Sequence, residues 1–167
     1  MRRSGIIAAI WLALAIAPAF ADPFPWGPKD EPPVVAGIKL GDSEQHALDV
    51  LGAPDDVNTS ALGDMLEYNT RGLEVTASKE GVLAIRLFKP EAGAIGELKV
   101  GDMARDVITK WGVPQGGEDR VARFGAGEWV ILVRLADKEP TVSELILASI
   151  RAQPRPQDSQ LNVFQAQ

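Results

Sequence analysis

The chain holds one histidine and no cysteine, so few residues could do chemistry. His46 has Asp42 four residues before it, and Ser43 and Asp49 three residues to either side. A Ser–His–Asp relay needs a nucleophile on a strained turn beside donors for an oxyanion. All three side chains would instead sit within about two turns of one short helix, with no such turn or donor set evident. His46 is therefore read as a surface residue on a polar helix face. Glu67 and Glu74 could approach across a hairpin as an acid–base pair. Carboxylates on exposed strands are far commoner, so neither is assigned a catalytic role. The absence of cysteine excludes thiol catalysis, cysteine-ligated zinc, iron–sulfur clusters, disulfides and a lipid-modified cysteine anchor. A single histidine excludes multi-histidine metal sites. The acidic residues form no D-x-D-x-D-G loop. The glycines around 93–96 and 112–117 lack the lysine and the strand-to-helix context of a phosphate loop. The expectation is a non-enzyme with no metal and no cofactor.

Composition narrows the partners. The 167 residues carry 17 Lys plus Arg against 23 Asp plus Glu, a net charge of −6, and 46% are apolar. That is globular composition. Its acidic balance argues against nucleic acid, whose binders need a basic face. Arg2 and Arg3 precede an apolar run from Ile6 to Ile16, and Ala19-Phe20-Ala21 closes it. Charge, short apolar core and an A-x-A end make residues 1–21 a secretory signal peptide. The run is too short for a comfortable membrane span, and no later run reaches that length. The mature protein is expected to be soluble, periplasmic or secreted, without an integral membrane span.

The elements that would position a site come as a repeat. Residues 22–35 form a Pro-rich lead-in, and 153–167 a polar, disordered tail. Between them, Lys39, Gly41, Asp42, Gly52 and Pro54 recur sixty residues on as Lys99, Gly101, Asp102, Gly112 and Pro114. Apolar positions recur in phase, which supports internal duplication into units 36–92 and 93–152. Asp42 and Asp102 are N-cap candidates, and Gln45 could complete a capping box. Gly52 and Gly112 suit helix ends, and the prolines block continuation. Each helix is followed by three segments with strand alternation: 65–68, 73–77 and 82–88, then 121–124, 128–136 and 141–149. The expected fold is α+β: two tandem repeats, each a short helix followed by a three-stranded antiparallel meander.

Strand phase separates core from surface. Leu73, Val75 and Ala77 share one face, as do Leu83, Ile85 and Leu87, and Trp129, Ile131, Val133 and Leu135. Trp111, Trp129 and Phe124 fall in core phase. The opposite face is polar in the first copy, at Glu74 and Thr76. In the second it carries Val130, Leu132, Ile146 and Ala148, interrupted by Arg134 and Glu144. Two-sided apolar strands are usually covered on both faces. This second face either packs on the other repeat or under Phe24-Pro25-Trp26, or it binds a ligand or protein. Trp26 could dock in a partner groove or fold back on its own sheet. The candidate binding residues are Trp26, Val130, Leu132, Arg134, Glu144 and Ile146.

The punctuation Gly41-Asp42, Gly52, Pro54 and Tyr68, repeated as Gly101-Asp102, Gly112, Pro114 and Phe124, resembles the SmpA/OmlA (BamE-like) small envelope domains. The tandem arrangement looks like the β-lactamase-inhibitor-protein fold. The resemblance covers residues 36–150 and implies envelope localisation and protein binding without catalysis. The lipid-acceptor cysteine of the lipoproteins is missing, and the inhibitor's aromatic binding face is thin. The leading expectation is a soluble exported module binding another envelope protein, as an accessory factor or inhibitor. The alternative is a small-molecule or lipid-binding periplasmic protein, and a carboxylate-dependent hydrolase comes third.

Overall fold

The computed structural model describes residues 31–118, 120–125 and 128–150. The signal segment, Trp26 with most of the lead-in, and the polar tail lie outside the described residues.

The helices form where their punctuation predicts, but their caps differ. Helix α1 spans Glu44–Leu51, and the Ser43 side chain, not Asp42, accepts the His46 N–H. Asp42 sits one residue too early and accepts the Lys39 N–H at 2.8 Å, closing the turn before the helix. Asp102 does the same with the Lys99 N–H at 3.0 Å. Helix α2 (Ala104–Trp111) starts after Met103, whose N–H donates to the Asp106 carboxylate at 3.3 Å. Gln45 closes no capping box; its amide donates to Asp49. Gly52 and Gly112 end the helices at φ +82° and +77°, where a side chain would be strained. In α2, Val107 and Trp111 are buried while Ile108 is 56% exposed.

The strands are β1 (Asp56–Ser60), β2 (Gly63–Tyr68), β3 (Leu73–Ser78), β4 (Gly81–Leu87), β5 (Ala94–Ile95), β6 (Leu98–Lys99), β7 (Gly116–Glu118), β8 (Val121–Phe124), β9 (Trp129–Leu135) and β10 (Val142–Ser149). Two separate three-stranded meanders are not what forms. One continuous eight-stranded antiparallel sheet runs β1-β2-β3-β4-β10-β9-β8-β7, beside a small β5-β6 sheet. Two physical reasons account for the difference. Strands β1 and β7 are exposed at every residue, so they carry no apolar alternation to reveal them. And β4 and β10 pair with each other, Leu87 opposite Leu145 and Ile85 opposite Leu147. Both strands alternate apolar residues, and the charges they carry, Arg86 and Glu144, pair with each other across the junction, so joining them removes two sticky edges at once.

The halves repeat the same backbone hydrogen bonds where the turn before each helix meets the sheet. The Gly41 and Gly101 N–H groups donate to the carbonyls of Val82 and Val142, and those two residues donate back to Asp42 and Asp102. Each half also carries a bulge at the same place. Register skips Leu83 between β3 and β4, and Ser143 between β9 and β10. The bulge moves Leu83 off its expected face. It is half-buried, and Val82 takes the core position at 1% exposure.

Both helices and the β5-β6 hairpin join one hydrophobic cluster with the inner face of the sheet. Ala47, Leu51, Val107, Trp111, Ile95 and Leu98 meet Leu73, Val75, Ile85, Leu87, Ile131, Val133, Leu145 and Leu147. Trp111 and Phe124 stack edge to face with centroids 5.4 Å apart. The core phase read for Trp111, Phe124 and Trp129 therefore holds, all three being buried.

Candidate binding face

With the inner face committed to the core, the outer face is the surface left for function. Antiparallel register places Glu74, Arg86, Ile146, Leu132 and Arg123 in one row across β3, β4, β10, β9 and β8. The adjacent row holds Thr76, Ala84, Ala148 and Val130. On the other side, Glu144 faces Arg134, which faces Val121. Five of the six expected residues thus share this face: Val130, Leu132, Arg134, Glu144 and Ile146. The sixth, Trp26, lies outside the described residues. They are not equally accessible. Val130 and Ala148 are buried, though neither joins the core cluster. Leu132, Ile146 and Glu144 are half-buried, and Arg134 is exposed.

A concavity of about 950 Å³ opens over the face, floored by Ala84, Ala148, Ile146 and Leu132. Leu62, in the β1-β2 turn, and Glu118 with Arg120, at the β7-β8 turn, line it from opposite edges of the sheet. The strands position its polar groups. Arg86 donates from Nε to Glu144 at 2.6 Å and from Nη1 to Glu74 at 3.0 Å, while Arg134 Nε reaches Glu144 at 3.2 Å. This chain of charges crosses four strands, including the β4-β10 junction. Burial works against the Arg86 charge, but bonding to Glu144 and Glu74 outweighs it and holds the guanidinium ionised. Arg120 donates to the Ala136 carbonyl. Of the six arginines among the described residues, Arg86, Arg120, Arg123 and Arg134 belong to this face.

The candidate catalytic groups do not assemble. Ser43 caps α1, Asp49 holds Gln45, and the His46 ring lies 3.7 Å from Asp42 with half its side chain exposed. Glu67 and Glu74 do face each other across β2 and β3. Each is committed elsewhere, Glu67 to the amides of Asn58 and Asn69, and Glu74 to Arg86. Among the described residues no three His, Cys, Asp or Glu side chains gather where they could hold a metal. No helix among them is long and apolar enough to cross a membrane. Ser43, Asp49, Glu67 and Glu74 are thus each engaged in bonds within the fold.

Two parts of the face escape a reading of the sequence by apolar residues alone. Arg123 lies on the outer phase of β8, where Ala122 and Phe124 point inward, so counting alternation would have found it. The Leu62 turn belongs to the hairpin of β1, a strand without apolar signal.

No protein-family model matches the chain, and no curated protein matches it. It is similar in fold to a solved structure of a cysteine-rich secretory protein from Staphylococcus aureus subsp. aureus Mu50, with a TM-score of 0.58 and 11% identity over 72% of this chain and 48% of that one. The chain thus spans about half the length of that protein. Lower similarity reaches an SCP-domain extracellular protein from Bacillus anthracis str. Ames (TM-score 0.47, 12% identity, 66% and 44% of the two chains). A DUF4309 family protein from Bacillus subtilis subsp. subtilis str. 168 scores 0.48 at 14% identity, over 64% and 78%. The staphylococcal structure is a cysteine-rich secretory protein, not a SmpA/OmlA lipoprotein or the β-lactamase-inhibitor protein, so the resemblance drawn from Gly and Pro punctuation is overturned. What the chain shares with the staphylococcal protein is its fold.

Proposed function

We propose that the chain is an exported, non-catalytic binding module that takes a small amphipathic molecule on the outer face of its sheet. The observation behind this reading is the concavity of about 950 Å³, floored by Leu132 and Ile146 and rimmed by charged side chains. Its size lies within the roughly 300–1,000 Å³ of small-ligand sites, and an apolar floor with a few polar groups is their usual lining. Export is supported by the signal-like residues 1–21. The test is native mass spectrometry of the chain purified from an envelope fraction. A bound small molecule, lost in Leu132→Glu while the melting curve stays cooperative, is the expected result. An empty protein that also takes up no amphiphile from a panel would overturn the reading.

The runner-up is a protruding loop of another envelope protein. It is favoured by the two turns at opposite edges of the sheet, with the face open between them. A specific envelope protein captured by the chain, released by the same Leu132→Glu change, would promote it over the small-molecule reading.

A further inference from the structure

We infer that the ligand of the outer face carries an acid group and that Arg123 receives it. This rests on the small-molecule reading above and names the chemistry that reading leaves open. Three of the four arginines on the face are engaged: Arg86 with Glu74 and Glu144, Arg134 with Glu144, and Arg120 with the Ala136 carbonyl. Arg123 is exposed and meets no carboxylate or carbonyl among the described residues. It stands directly across from Leu132, which stands across from Ile146. Neighbouring strands are about 4.8 Å apart, so the two apolar side chains make a strip roughly 10 Å wide beginning at the guanidinium. A carboxylate can take two parallel N–H bonds from that guanidinium while its apolar chain lies along the strip. At the far end Arg86 is already neutralised, so the two ends of the strip differ and the ligand has one preferred direction.

The rest of the molecule sharpens the assignment. The chain is acidic overall, at −6, and none of its described lysines lines the concavity. Glu118 and Asp137 stand on the same rim. A bare small anion therefore gains little there, and binding needs the apolar chain as well as the acid.

The experiment titrates the purified chain calorimetrically with decanoate, decanol and acetate. Decanoate is expected to bind about tenfold or more tightly than decanol, the scale of a charge-assisted hydrogen-bonded pair, and acetate not measurably. Arg123→Gln should erase the preference for the acid and leave decanol binding unchanged. Arg105→Gln, on the exposed side of α2, should leave all three as they are. Added salt should narrow the gap between decanoate and decanol. Equal binding of acid and alcohol, or a preference that survives Arg123→Gln, overturns the acid assignment and leaves the small-molecule reading standing. Binding of neither ligand overturns both.

Discussion

Single side chains show how tightly this fold ties its polar groups. The Tyr68 hydroxyl donates to the Gly52 carbonyl at 3.1 Å, and Arg71 donates to the Leu51 carbonyl, so two residues near the β2-β3 turn satisfy the open end of α1. Burial raises the Tyr68 pKa above its ordinary 10.0, against a smaller pull from Arg71. The folded state thus favours the neutral phenol. Its stabilisation is complete below pH 10 and fades as pH rises through the raised value. Tyr68→Phe should lower stability by about 0.5–1.5 kcal/mol at neutral pH and remove that alkaline loss. Urea unfolding followed at pH 7 and above pH 10 would show both. Arg86 is the second test. Its removal leaves Glu74 without a cation and Glu144 with only Arg134. A single exposed ion pair is worth about 0–1 kcal/mol. Arg86→Met should cost about 1–2 kcal/mol because two charge-assisted bonds are lost together. A cycle with Glu144→Gln should reveal coupling between them, and strict additivity would argue that the network is ornamental. At this scale the sequence lists the residue types at hand, one histidine and no cysteine among them. It was poor on partners. Only the β4-β10 register brings Arg86 to Glu144, which lies 58 residues away.

Elements were legible where their physics is local. A glycine ending each helix and an alternating run in each buried strand are signals a few residues long, and both helices and six strands of the large sheet follow them. Strands β1 and β7 were not legible, because an edge strand with both faces in solvent has no reason to alternate. Their positions follow from backbone pairing instead, such as Ser60 with Gly63 and Gly117 with Ala122. Gly63 shows how close that pairing is. A Cβ there would lie 2.0 Å from the Ala77 carbonyl oxygen, at φ +136°. Gly63→Ala should therefore cost more than the roughly 1–3 kcal/mol that such a positive φ costs a non-glycine residue, and should release the β1-β2 hairpin first. Gly52→Ala, with nothing within 4 Å of the added carbon, should cost only that conformational amount. Thermal melts would rank the two. Hydrogen exchange at Asn58 and Met65 would locate the damage.

At the level of the molecule, one sheet and one hydrophobic cluster replace the two tandem helix–meander units expected from the repeat. The two-sided apolar character of β9 and β10 is visible in the sequence. Which strand lies beside β10 is not, because a repeat pattern says nothing about how its copies meet. The consequence is cooperativity. Trp111 and Trp129 report on the second half, and Tyr68 on the first. Their fluorescence and absorbance changes should coincide in a urea titration, with a single midpoint. Separated midpoints would mean that the halves are thermodynamically independent despite the shared sheet.

The β4-β10 junction also has a kinetic side. Every other neighbour pair in the large sheet closes a short hairpin, whereas this one must bring together residues such as Arg86 and Glu144 across 58 positions. Closing the longer loop costs more entropy before any contact repays it. The two hairpin sets should form early, and their docking should be the late, rate-limiting event. Substitutions at the seam would then hasten unfolding far more than they slow refolding. In that order of events the seam acts as a latch on two preformed halves, and it sets the lifetime of the native state.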